Sequence, residues 1–345
     1  MASEKTVIQG KLPDLKARPC CLLVQSPYGI FSLLFPDHIL DLESDLTHKS
    51  GTTGFGWFFR KEASGLIYTC LGGFIDLGHL RDFADLTRLY YYLLLKQPKE
   101  NGVIKEGSVF PVLPTHGGFD GVVIVKKDIP ATKDDLDLLI NIARSLAYDV
   151  SIFYEISTYP VISFFEPGKH ASAFSPEDLV SNFLGTHVAD QAIRKEIEGG
   201  SQVNTGVFDT EVTKVLRSLL EKLQAREKSV TIQALDGIAD RWIRSGVIIP
   251  GLDTLHLQRR NFEYKVITPW LVSEIDSCGS LPFNFPSDIE RQLLDDIRSF
   301  YTAHFNFGHE LLGGGSVHDS DNFDSLIAKI KADAEDRYGP EFDQI

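Results

Sequence analysis

Cysteine is scarce in this chain and methionine nearly absent, with four of the first and one of the second among 345 residues. Cys20 and Cys21 are adjacent, Cys70 and Cys278 stand far apart, and no pair has paired zinc-ligand spacing, which excludes a zinc ribbon or a small disulfide scaffold. The same pattern predicts reduced thiols and no intrachain disulfide. Basic residues are in deficit, 34 Lys and Arg against 48 Asp and Glu, giving a formal net charge of −14. No segment clusters Lys and Arg as a phosphate backbone requires, so a nucleic-acid partner is excluded and an anionic membrane surface disfavoured. Long apolar runs are missing too. Nothing approaches the roughly 18 residues of a membrane span, and the first apolar run, Cys20 to Val24, is too short for a signal sequence. The expectation is a cytoplasmic protein without a membrane partner. Also absent are a Rossmann fingerprint, a Walker loop, a Gly-x-Ser-x-Gly elbow and a His-Glu-x-x-His pair, which disfavours nucleotide-binding folds and the commonest esterase and zinc-protease designs.

What is present is ordinary for a globular protein: 43% hydrophobic and 24% charged residues, in a length that suits two domains or one large one. In the first third, Cys20 to Gln25, Ile30 to Phe35, Phe55 to Arg60 and Leu66 to Cys70 are short β-branched or aromatic runs between turn residues, predicting a small antiparallel sheet. Gly73 to Lys96 has helical period and ends in Tyr90-Tyr-Tyr-Leu-Leu-Leu, too apolar for a solvated helix. Gly121 to Lys126 reads as a strand. Thr132, followed by Asp134 and Asp135, caps a long helix that runs to about Thr158. Its polar stripe, Asp137, Asn141, Arg144, Tyr148, Ser151 and Glu155, is read as the wet face, with Glu155 at the start of a cleft. Ser175-Pro-Glu-Asp178 opens a further helix with a face of Asp178, Ser181, Asn182, Gly185, Ala189 and Ala192, small enough for another helix or a ligand to approach closely. Gly199 to Gly206 is the best linker. Beyond it, helices are expected from Asp209 to about Ala225, from Thr231 to Ser245, after the capping pattern Ser287-Asp-Ile-Glu290, and in an acidic, peripheral stretch from Asp319.

Chemistry concentrates between Tyr68 and Asp82. At about 100° per residue, Asp76 and His79 share an arc with Leu80, Phe83, Thr87 and Tyr90, while Arg81, Asp85 and Arg88 fall opposite. Ionisable groups among core residues need partners: each other, a third group or a metal. Cys70, just before Gly72-Gly73 and a helix start, is a weaker candidate as a nucleophile, with His116 or His187 as its base. His116-Gly-Gly118 alone is a poor oxyanion loop, and His304, His309 and Glu310 are further ligand candidates most simply read as a loop.

Tyr68-Thr-Cys-Leu-Gly-Gly-Phe-Ile-Asp-Leu-Gly-His-Leu-Arg-Asp82 and Ser175-Pro-Glu-Asp-Leu-Val-Ser-Asn-Phe-Leu-Gly185, with Tyr154-Glu-Ile-Ser-Thr158 between them, resemble an uncharacterised bacterial family known as a domain of unknown function. The resemblance covers roughly the middle third of the chain and brings no activity. It implies that Asp76, His79, Arg81, Glu155, Glu177, Asp178 and Asn182 belong to one constellation.

The expected architecture is α+β: an N-terminal antiparallel sheet on a buried helical core, with a helical C-terminal region. Residues 1–198 form the domain carrying the site, and 207–345 are mainly helical, either separate or packed on the same core. The expected function is metal-dependent hydrolysis of a small organic substrate. Asp76, His79 and Glu155 hold a divalent ion (zinc, manganese or iron), Asp178 or Glu177 acts as base on its water, and Arg81 or Asn182 orients the substrate. The alternatives are a metal-dependent lyase or cyclase and a non-catalytic small-molecule binding protein. A buried hydrogen-bond network without catalysis is the bland reading of the same residues.

Overall fold

The structure, a computed structural model, describes residues 12–13, 15, 18, 23–26, 29–32, 39–50, 62–113, 119–159, 173–198, 203–238, 242–244, 256–258, 261–265, 267–272, 275, 278, 293–312 and 317–338. Its centre is helix α1 (Leu77–Lys96), buried all round from Leu77 to Leu94. The helix starts where Asp76 caps it and stops at Gln97, which turns extended before Pro98. Helix α2 (Leu136–Thr158) lies against α1 after a short 3-10 turn, Lys133–Asp135, closed by the Thr132–Asp135 capping box. Helix α3 (Pro176–Glu198) crosses both, and α4 (Thr205–Lys222) packs on α3.

Gly185 sets the closeness of the α1–α3 crossing. A Cβ built there would drive into the carbonyl oxygen of Leu80 and stand 3.0 Å from that residue's carbonyl carbon. The small face of α3 therefore serves helix packing at Gly185. One turn or more towards its N-terminus, the same face carries Asp178, Ser181 and Asn182 to the start of α1.

The strands form small antiparallel sheets, as an α+β fold requires. Strands β3 (Leu66–Thr69) and β4 (Gly73–Asp76) make a hairpin that delivers the chain into α1. Two more short strands, β5 (Val103–Ile104) and β8 (Ile129–Pro130), pair with each other. Strands β6 (Val109–Val112), β7 (Asp120–Val125), β11 (Tyr301–Asn306) and β12 (Val317–Asp319) make a sheet in the order β12-β11-β7-β6. The expected N-terminal sheet loses Leu66–Thr69 to the hairpin with β4 and is composite: the hairpin of β1 (Leu23–Ser26) and β2 (Gly29–Ser32) is extended by β10 (His256–Gln258) and β9 (Trp242–Arg244). The run at Phe55 to Arg60 and the capping pattern at Ser287 lie outside the described residues.

Two local expectations change. The helix expected from Thr231 to Ser245 is α5 (Lys228–Gly237), and the chain is in β9 by Trp242. The acidic C-terminal helix, α6 (Phe323–Tyr338), is less peripheral than its composition implies, because Phe323 and Ile330 are buried. One apolar cluster joins Leu80 of α1, Phe153 of α2, Phe183 of α3, Leu216 of α4, Phe305 of β11 and Ile330 of α6, so elements on both sides of residue 207 share a core.

The thiol expectation fails at one pair: Cys70 and Cys278 form a disulfide across 208 residues, with Cα atoms 5.1 Å apart. Sequence spacing gave no warning because the pairing depends on the tertiary path. The chain near Trp270 runs beside β4 at Gly73, whose φ of +66° and lack of a side chain let Trp270 lie directly on it. Cys70 is thereby removed as a candidate nucleophile.

Candidate metal centre

Asp76 stands at the join of β4 and α1 and is not on the helix itself. Its backbone is extended, and its Oδ1 accepts the amide hydrogens of Gly78 (2.6 Å) and His79 (3.2 Å). Its own N–H donates to Ser181 Oγ on α3 (2.8 Å), and that hydroxyl donates to Glu177 O (2.6 Å). The cap that begins one helix is thus anchored to the first turns of another.

This anchoring brings three ligand atoms together. His79 Nδ1 lies 3.2 Å from Asp76 Oδ2 and 3.2 Å from Asp178 Oδ1. All three groups are buried, and each offers one atom within 4.8 Å of the others. An imidazole nitrogen carries at most one hydrogen, and the hydrogen-bond geometry at Nδ1 is satisfied by Asp76. Asp178 Oδ1 faces the same nitrogen without forming a hydrogen bond.

The electrostatics are lopsided. Burial raises the Asp178 carboxyl well above its usual range; His79 opposes this, and the charges of Glu155, Glu177 and Asp76 add to it. Asp178 therefore feels three other buried carboxyls and one histidine. Asn182, fully buried one turn beyond Asp178, has neither amide atom hydrogen-bonded among the described residues. Half-buried Tyr154 presents its ring edge-on to His79, with centroids 6.4 Å apart.

Of the residues singled out from sequence, Asp76, His79 and Asp178 form the tight trio. Glu155 is beside them but outside that group, its Oε2 accepting the Phe174 N–H at 2.6 Å. Its stripe on α2 is wet only at the start: Asp137 is exposed, whereas Arg144, Tyr148, Ser151 and Glu155 are buried. Glu177 is buried in the first turn of α3. Arg81 points elsewhere, donating through Nη1 to Ala63 O with Nε 3.7 Å from Glu62 Oε1. Burial lowers its pKa to about 10, with the Glu62 charge opposing. His187 meets Gln191 on α3, His304 pairs with Asp319 across β11 and β12 at 2.7 Å, and residues 114–118 lie outside the described residues.

Arg81 belongs to a second buried polar cluster that sequence reasoning missed. Arg18 Nη1 donates to Asp82 (2.8 Å) and Asp85 (2.9 Å), its Nε donates to Glu62 (3.0 Å), and His48 Nε2 lies 2.9 Å from Asp85 Oδ1. The available signal was composition: a helix as apolar as α1 has no wet side, so Arg81, Asp82 and Asp85 needed buried partners. The sequence did not say that Arg18, His48 and Glu62 supply them.

No curated protein and no solved structure matches the chain. A family model described as a protein of unknown function matches residues 43–269, well over half of the chain, and spans Asp76, His79, Glu155, Asp178 and Asn182. The chain belongs to this family, DUF4056.

Proposed function

We propose that the protein is a metal-dependent hydrolase of a small organic substrate, with a divalent ion held by Asp76, His79 and Asp178. One observation carries the metal reading. Two ligands each about 2.0–2.1 Å from a tetrahedral ion stand about 3.3 Å apart, and the two spacings from His79 Nδ1 are 3.2 Å. A charge-assisted hydrogen bond would be shorter, about 2.7–2.9 Å. The buried carboxyls of Asp76 and Asp178 favour a cation further, since a divalent ion offsets the charge that burial makes costly. The mixed His and carboxylate donors suit zinc, manganese or iron.

In this reading the ion would supply Lewis-acid activation of water, Glu177 would serve as the general base, and the amide of Asn182 would orient the substrate. Arg81 has no part in it. The expected partner is a small molecule. Among the described residues, no helix is long and apolar enough to cross a membrane. The expected cytoplasmic location leaned on reduced thiols, and the Cys70–Cys278 bond weakens that ground.

Elemental analysis of freshly purified protein, followed by turnover of a panel of small esters, amides and phosphate esters with and without chelator, tests the proposal. About one equivalent of zinc, manganese or iron and chelator-sensitive hydrolysis are expected. A rearranged or eliminated product formed without water uptake assigns the ion to lyase or cyclase chemistry. Bound metal without turnover leaves a binding protein, and no metal after supplementation overturns the reading.

A further inference from the structure

Three non-glycine residues among those described have positive φ: Asn101 (52°), Gln224 (58°) and Phe174 (59°). The first two have local explanations. Asn101 precedes Gly102 in a turn, and Gln224 follows the last residue of α4's cap, where a left-handed residue ends a helix. Phe174 also lies in a turn, just before α3, but its residue type makes it the unusual one. It is a bulky side chain, fully buried, in a conformation that L-residues of its kind avoid.

What holds it there is visible. Its N–H donates to Glu155 Oε2 at 2.6 Å, its carbonyl accepts from Asn261 N at 3.0 Å, and its ring lies against Phe262 with centroids 5.0 Å apart. Directly after Phe174 come Ser175 and the first turn of α3, which carries Glu177 and Asp178. The direction in which the chain leaves Phe174 therefore joins the Ser181 anchor and the Gly185 crossing in placing Asp178 Oδ1 against His79.

We propose that Glu155 is a positioning residue, whose carboxylate latches Phe174 in the left-handed conformation and so aims the α3 carboxylates at His79. This rests on the reading of Asp76, His79 and Asp178 as a metal centre, but the latch has a readout of its own. Glu155 touches the Phe174 amide and is outside the tight trio, and what the latch requires of it is an acceptor oxygen. Glutamine offers one as well; alanine does not. Partners of this kind, one step removed from an ion, change metal affinity by roughly 10- to 100-fold.

Zinc affinity of the full chain, measured by competition with a chromophoric chelator, should fall at least tenfold in Glu155→Ala and stay within about threefold of the parent in Glu155→Gln. Phe174→Gly frees the backbone from needing a latch. Adding Glu155→Ala to Phe174→Gly should then cost less than threefold, a comparison that holds even if the single Glu155→Ala chain does not fold. Equal losses in the Gln and Ala variants, undiminished with glycine at 174, would overturn the proposal and make Glu155 a ligand acting through its charge. If the parent binds no zinc, the metal reading fails and the latch is judged alone, by amide exchange in protein labelled with 15N-phenylalanine. The Phe174 amide should exchange at least tenfold faster in Glu155→Ala than in the parent or Glu155→Gln, and equal rates in all three would overturn it.

Discussion

Gly185 of α3 lies against the backbone of Leu80 in α1 so closely that any Cβ would collide with the Leu80 carbonyl and stand 3.2 Å from Ala84 N. Neither neighbour is a flexible side chain, so relief requires the two helices to separate. Gly185→Ala should cost about 1–3 kcal/mol despite the better helix propensity of alanine. Because Ser181 and Asp178 ride on the same helix, the variant should also lose metal affinity. Urea unfolding and a zinc titration check this, and a more stable variant would show that the crossing is looser than described.

The buried charge cluster makes a prediction about acid. Burial alone would raise the Glu62 carboxyl, but the charges of Arg18 and Arg81 and the Arg18 hydrogen bond outweigh it and hold the group far below its usual range. Asp85 is likewise opposed by burial and held low by His48 and Arg18. A depressed carboxyl stabilises the fold fully above its unfolded pKa, about 3.9–4.3, and loses that contribution as pH falls towards the folded value. Stability should thus drop as pH falls below about 4. Arg18→Met should destabilise the neutral protein by about 3–5 kcal/mol, since Glu62, Asp82 and Asp85 lose their cation, and should flatten the acid dependence. An unchanged slope in pH-dependent urea melts would remove Arg18 as the cause.

A covalent link between Cys70 and Cys278 predicts a disulfide-joined peptide in a digest of protein alkylated before unfolding, which disappears on reduction. It closes a long loop, so the Cys70→Ser/Cys278→Ser chain should be less stable by about 2–5 kcal/mol. Recovery of both cysteines in alkylated form from protein purified under air would sink this prediction and restore the reduced reading.

Much of the helical core was legible because its signals are local. Thr132, Ser175 and the period of 73–96 need only neighbours a few residues away, and the structure places α2, α3 and α1 close to where those signals put them. The errors arise where distant chain segments decide. Periodicity alone counts Asp76 into the helix because Gly73 to Asp76 continues its apolar pattern, yet pairing with Leu66 to Thr69 draws those four residues into a strand. Its neighbourhood with His79 survived for another reason: an N-cap and the third helical residue also sit together. The sequence offers Asp178 or Glu177 as a base, and only the α1–α3 crossing, licensed by Gly185, shows Asp178 facing the same nitrogen as Asp76. The Glu155 bond to Phe174 was out of reach, since a backbone in a rare conformation leaves no mark in composition.

The last prediction separates a metal centre from a hydrogen-bond network through Asp178→Asn, which keeps shape while removing one charge and one ionic ligand. If the trio holds an ion, that charge exists for the ion, and without it Asp178 is a buried carboxyl among Asp76, Glu155 and Glu177. The chelator-treated variant should then melt at or above the parent, since functional polar groups in a core often cost stability. Its zinc affinity should fall by at least tenfold, and the thermal gain that metal gives the parent should vanish. If Asp178 instead serves as the charged structural partner of His79, losing that charge to asparagine should weaken the fold by about 1–3 kcal/mol with and without chelator alike. Melting curves of parent and variant, each with zinc and with chelator, give the four values needed, and a variant destabilised equally in both conditions would leave Asp76, His79 and Asp178 as architecture.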